Sequence, residues 1–164
     1  MIIASLLFGM STLDHTQRIT PPSETHQFDF WVGEWDAIGT SYGPGGKQTR
    51  TEAKNSITRD LAGHVVRESF KMPGLSGMSI SVFDPGARLW RQTWVDNQGE
   101  YIALAGTFTG GKMILHTIPR PLRPNSVNRM VFSKITSDSF DWDWDASADA
   151  GATWLTSGTC ITRE

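Results

Sequence analysis

The chain has 164 residues, with 15 Lys and Arg against 17 Asp and Glu, one cysteine, seven Trp, eight Phe and only two Tyr. A formal net charge of −2 supplies no global pull toward nucleic acid or an anionic membrane, and a single cysteine rules out an intramolecular disulfide or a zinc site built on several thiolates. The length suits one domain with a real core, and 16 Gly with 8 Pro beside so many aromatic residues describe a turn-rich β protein with an aromatic interior.

Met1 to Met10, MIIASLLFGM, is apolar but has no basic start and falls far short of the roughly 20 residues that span a bilayer. It reads either as the remnant of a signal peptide or as a loosely docked tail. No clear cleavage pattern follows it, so a cytoplasmic location is expected over a secreted one. Pro21 and Pro22 break whatever precedes them, which sets residues 1–25 apart as a flexible tail and 26–164 as a single β-barrel domain. In His26 to Asp36, Phe28, Trp31, Val32 and Trp35 lie at offsets of about two helical turns. The expectation is a short plug helix, with Gly33 turning the chain into the first strand.

Beyond Trp35 the segments are short, many alternate with period two, and Gly, Pro, Asn or Asp breaks them regularly. Ten strands are predicted, at 35–41, 47–59, 64–72, 78–84, 88–95, 100–108, 112–119, 127–135, 139–146 and 153–162. The clearest is Ser139 to Asp145, where Phe140, Trp142 and Trp144 point one way and Asp141, Asp143 and Asp145 the other. Met78, Ile80 and Val82 alternate in the same manner with Ser79 and Ser81. The breaks are too short for parallel crossovers, so the fold class is all-β, an antiparallel up-and-down meander that closes into a barrel and thereby removes its edges. Ten strands enclose more than side chains need, which implies a cavity.

Two motifs add to this reading. Gly33-Glu34-Trp35 is similar to the G-x-W signature that opens lipocalins. More specifically FDFWVGEWD, Leu61-Ala62-Gly63 leading to Glu68, SISVFD at Ser79 to Asp84, WRQTWVD at Trp90 to Asp96 and the closing Ser147 to Trp154 together resemble the bacterial family called domain of unknown function 1579. That resemblance spans about residues 26–163 and implies a calycin-like, lipocalin-like or fatty-acid-binding-like barrel without implying an activity. The chain departs from the family pattern at Ala148 and Ala150, which flank Asp149, and in the Pro/Arg-rich stretch at 119–125. Ser147 to Trp154 also fits the Asp-box S-x-D-x-G-x-T-W of sialidase propellers, but one copy in so short a chain marks a turn and not a propeller.

The chemistry is expected inside the barrel. His64, Val66, Glu68, Phe70 and Met72 share the face of the third strand expected to turn inward, where a carboxylate needs a partner or a raised pKa. Glu68 is therefore either a polar anchor or general acid/base, or half of a structural pair with Arg91 or Arg129. Trp90, Gln92, Trp94 and Asp96 share a face of the fifth strand, and with Trp142 and Trp144 they form either a flat wall for a planar ligand or plain core filling. His64 and His116 are candidate interior groups, and haem ligated by one of them, as in nitrobindin-type barrels, is the only cofactor the sequence leaves open; the histidines lack metal spacing. Cys160 is expected to be a buried, inert thiol, Gly43 to Lys47 a hairpin tip, and Arg120 and Arg123 a solvated rim or a gate for an anionic ligand.

The candidate ligand-binding set is thus Glu68, Phe70, Trp90, Gln92, Trp94, His116, Arg129, Trp142 and Trp144, with Glu68 the only candidate catalytic group. The leading expectation is a protein that binds a small hydrophobic or planar molecule and has no nucleic-acid or membrane partner. The alternatives are an isomerase, cyclase or hydrolase acting on a hydrophobic metabolite in the same cavity, and a structural protein with a filled barrel.

Overall fold

Each strand hydrogen-bonds to the strands before and after it in the chain, and the last returns to the first. The computed structural model describes residues 20–119 and 125–163; the apolar segment from Met1 to Met10 and the rim arginines Arg120 and Arg123 lie outside the described residues. The strands are β1 (Gly33–Tyr42), β2 (Gln48–Asp60), β3 (Val65–Met72), β4 (Leu75–Asp84), β5 (Leu89–Asp96), β6 (Tyr101–Thr109), β7 (Lys112–Thr117), β8 (Val127–Ser133), β9 (Ser139–Ser147) and β10 (Leu155–Arg163). All pairings are antiparallel, and β1 pairs with β10 from Asp36 opposite Arg163 to Ser41 opposite Gly158, which closes a ten-stranded barrel. A bulge between Thr156 and Gly158 interrupts the β9–β10 ladder near the barrel rim. Among the described residues no helix is long and apolar enough to cross a membrane.

The observed strands match the predicted ones to within about three residues, and the largest difference has a local cause. β4 starts at Leu75, not Met78, because Gly77 continues the strand while Gly74, with φ of 79°, makes the turn. A Cβ on Gly77 would lie 2.2 Å from the Trp94 ring of β5, so glycine is there to let that indole lie against β4. The more instructive finding is the sense of the β4 alternation. Ser79 and Ser81 are fully buried and face in, whereas Met78 and Ile80 are 42% and 49% exposed on the outside.

The plug is present as a 3-10 helix over Ser23–Trp31. It begins before His26 because the Thr25 backbone N–H and hydroxyl both donate to Pro22 O, at 3.0 and 2.7 Å, closing the first turn. Gly33, at φ 145°, then redirects the chain into β1. Phe28 is fully buried, with Trp90 edge-on at a centroid distance of 4.6 Å and Phe132 at 5.8 Å. Trp35 packs against Phe140 at 4.8 Å while its Nε1–H donates to Trp31 O at 2.8 Å, tying the strand to the helix that precedes it. Arg59, near the end of β2, ties the same helix to the β2–β3 connection by donating to Thr25 O and Gly63 O and pairing with Asp29.

Because Phe28 joins the plug to two strands, β5 and β8, its loss leaves a cavity at the heart of that contact. Phe28→Ala is expected to lower unfolding stability by about 3–5 kcal/mol, read from the midpoint of denaturant unfolding. A loss below about 1 kcal/mol would show that the plug does not hold that end of the barrel.

Candidate functional site

The plug seals one end, while the hairpins β1–β2, β3–β4, β5–β6 and β9–β10 ring the other, so the interior has a floor and a mouth. Between them lies a cavity of about 410 Å³ that runs from Trp31, Phe132 and Phe140 at the floor to Thr40, Thr49, Leu75 and Ser157 near the mouth. The barrel is therefore not filled by its own aromatic residues, which removes the filled-barrel alternative.

Five of the nine predicted site residues meet on this cavity: Glu68, Phe70, Trp94, Trp142 and Trp144. The indoles of Trp142 and Trp144 stack with 13° between planes and 6.2 Å between centroids. Trp94 is fixed on the opposite wall by three contacts, lying over Gly77, donating from Nε1 to Asp96 Oδ2 at 3.2 Å and meeting Phe70 edge-on at 6.0 Å. Two flat aromatic walls thus face one interior.

Glu68 is the polar centre. It is 7% exposed and accepts from Asn55 Nδ2 at 2.7 Å on one oxygen and from the Ser79 hydroxyl at 2.6 Å on the other. Among the described residues no arginine reaches it. Arg91 is on the outer face with Asp84, and Arg129 pairs with Asp145 there, so the expected structural ion pair does not form. Burial pushes the Glu68 carboxyl above its ordinary value, and the Ser79 and Asn55 hydrogen bonds oppose that rise only in part. Gln92 extends the polar cluster by donating to Ser81 at 3.0 Å and Ser79 at 3.3 Å, on the inward face of β5 but not in the cavity lining. Two buried acceptors, Asn55 Oδ1 and Gln92 Oε1, have no hydrogen-bond partner.

The remaining predicted residues lie elsewhere. Trp90 faces inward but belongs to the floor, packed on Phe28 with Nε1 donating to Gln27 Oε1 at 3.1 Å. His116 and Arg129 are opposite one another on β7 and β8 and face outward, because Leu115 and Met130 take the inward positions beside them. On that outer surface Arg129 lies 4.2 Å over the Trp154 ring and His116 packs 5.7 Å from it. Burial, and then the charge of Arg129, hold the His116 imidazole below its usual pKa. His64 does not line the cavity either, so the described histidines do not fit an axial haem ligand inside the barrel. Among the described residues no group of three His, Cys, Asp or Glu is placed to hold a metal ion.

Two residues of the polar centre, Asn55 and Ser79, are not in the predicted set. Asn55 lines the cavity from β2, where it interrupts the otherwise apolar inward row of Ala53 and Ile57; that interruption was a legible signal. Ser79 carried no such signal, since its apolar neighbours claimed the face. Cys160 is in the last strand as expected, but it lines the cavity, with its thiol pushed up to about 11 by burial, and so remains protonated and poorly nucleophilic. At the mouth, Ser147 to Trp154 forms the expected turn: Asp149 accepts from the Thr153 N–H at 2.9 Å and hydroxyl at 2.6 Å, which with Ser147 draws its pKa down to about 2.

Since burial raises Glu68 in the folded state, the fold keeps this proton over a range in which the unfolded chain has released it. Stability therefore falls as pH rises from 4.5 through the folded-state value. Glu68→Gln, which keeps the shape without the charge, is expected to raise the Tm, with the larger gain at pH 8 than at pH 5. A gain that is absent or independent of pH, measured by thermal unfolding, would refute the assignment of an unpaired buried carboxyl.

No family model matches the chain, and no curated protein matches it. Solved structures do. A protein designated Rv2717c from M. tuberculosis aligns with a TM-score of 0.60 over 88% of this chain and 99% of its own, at 11% identity. The S-type phycobiliprotein lyase CPES from Guillardia theta aligns at 0.58 over 88% of this chain and 98% of its own, at 13% identity. At such identities the likeness is one of fold, and the fold is a closed, ten-stranded, antiparallel barrel of the calycin-like kind.

Proposed function

We propose that this protein binds a small, largely apolar, planar molecule inside its barrel. The observation that carries this reading is the cavity itself. Its volume of about 410 Å³ falls in the range of small-molecule pockets, and its walls are mostly aromatic and aliphatic, with Glu68 and Asn55 as the polar centre and Ser and Thr residues of β1, β2 and β10 on one side. Rigid, pre-positioned indoles lower the ordering cost of binding, and the contacts that fix Trp94 have no evident need in a protein that leaves the space empty. The likeness to a phycobiliprotein lyase supports a barrel of this shape as a host for small-molecule chemistry, although nothing of that protein's activity transfers at 13% identity.

Membership of the domain of unknown function 1579 family belongs to the same proposal. The residues that carry it, FDFWVGEWD and WRQTWVD, build the plug, the floor and one wall, so they record the architecture of a binding barrel more than the identity of a ligand. An enzymatic reading, with Glu68 as acid/base toward a hydrophobic metabolite, gains support from the elevated pKa of a carboxyl that faces the cavity. Turnover of a bound compound, abolished in Glu68→Gln, would separate it from binding alone.

The binding reading is tested by following Trp emission while a panel of polycyclic and lipophilic compounds is titrated into the full chain. A saturable change is expected for at least one compound, and Gly77→Ala should weaken it by on the order of tenfold, about 1.4 kcal/mol, because the new methyl would displace the Trp94 ring from the wall. Absence of any saturable response across the panel would overturn the proposal.

A further inference from the structure

The polar groups on the cavity wall are unevenly matched, and the imbalance has a chemical sign. Both Glu68 oxygens already receive a donor from the protein, Asn55 Nδ2 on one and the Ser79 hydroxyl on the other. Around Glu68, away from the lining Ser and Thr residues of β1, β2 and β10, what remains unmet is acceptor capacity. Asn55 Oδ1 is buried and has no partner, on a residue that lines the cavity, and each carboxylate oxygen keeps a further lone pair. Among the described residues, the lining contains no Lys, Arg or His. Its other ionisable group, the Cys160 thiol at about 11, is neutral.

A ligand carboxylate would therefore enter a low-dielectric space beside Glu68 with no countercharge and would strand two like charges together. A cationic N–H group does the opposite. It supplies the missing donors, neutralises the carboxylate through charge-assisted hydrogen bonds and is attracted to the indole faces of Trp94, Trp142 and Trp144. Resting on the binding function proposed above, we infer that the cavity selects a flat, apolar molecule bearing an amine or amidine, whose N–H groups bond Glu68 and Asn55 Oδ1, and discriminates against the carboxylate of the same skeleton.

The test compares three anthracenes that share one ring system and carry an aminomethyl, a hydroxymethyl or a carboxylate group, titrated calorimetrically into the full chain near neutral pH. The amine is expected to bind on the order of tenfold or more tighter than the carboxylate, and Glu68→Gln should reduce that ratio by about tenfold. Wild-type protein gives an independent readout. Glu68 is faced by Asn55 and Ile57 from β2 and by Ser79 from β4, with Gln92 of β5 behind them, and by no other charged side chain among the described residues. Amine affinity should therefore climb with pH as Glu68 ionises while alcohol affinity stays flat. A carboxylate that binds as well as the amine, or a preference that survives Glu68→Gln with no pH response, overturns this inference and leaves the binding function standing. Failure of all three to bind overturns this inference, and the binding function falls with it only if the wider panel of polycyclic and lipophilic compounds also gives no saturable response.

Discussion

Closure of one barrel end by aromatic rings is the constraint on which the rest of this structure depends. Phe28 is wedged between Trp90 and Phe132, and the Trp35 indole is hydrogen-bonded back to Trp31. Together they pack the floor with buried rings. A ten-stranded barrel open at both ends would be a wet channel, and a carboxyl on its wall would keep an ordinary pKa. With the floor packed, Glu68 is desolvated, its hydrogen bonds to Asn55 and Ser79 strengthen in the low dielectric, and the space above it becomes a pocket.

The polar belt above that floor is costly for the fold. Glu68, Ser79, Ser81 and Gln92 occupy inward positions that apolar side chains would fill more stably, and two of the amide acceptors nearby go unmatched. The cost reaches the outer surface as well. β4 presents Met78 and Ile80 to solvent because its serines are needed inside, where β3 and β5 hold Glu68 and Gln92 in register with them. Local choices that oppose simple burial are concentrated in one place, which is the usual mark of a site shaped by something other than stability.

The Asp-box turn illustrates how a motif can be physically accurate and functionally silent. Ser147, Asp149, Gly151 and Thr153 make the hydrogen-bonded turn their spacing specifies, and Trp154 packs beneath it under Arg129. The string therefore encodes a rigid β9–β10 connection at the mouth of the barrel. His116, whose sequence position suggested an interior role, is drawn into the outer side of this same assembly.

Period-two alternation and turn residues determined the number of strands and their antiparallel character, and helical offsets the plug, because these depend on local geometry: side chains of a strand alternate whatever surrounds them, and Gly and Pro end segments through their own backbone limits. They also determined that Glu68, Phe70, Trp94, Trp142 and Trp144 would share faces with apolar neighbours, and Asn55 was readable by the same rule. Alternation gives parity, however, and not sense. Which face of β4 turns inward, whether Trp90 joins the floor or the wall, and whether Arg129 reaches Glu68 or Asp145 were decided by registers between strands that lie far apart in the chain. The aromatic content was plain from composition, but its division into a sealed floor and an open cavity was a tertiary decision, made by the space that closure leaves and the plug only partly fills.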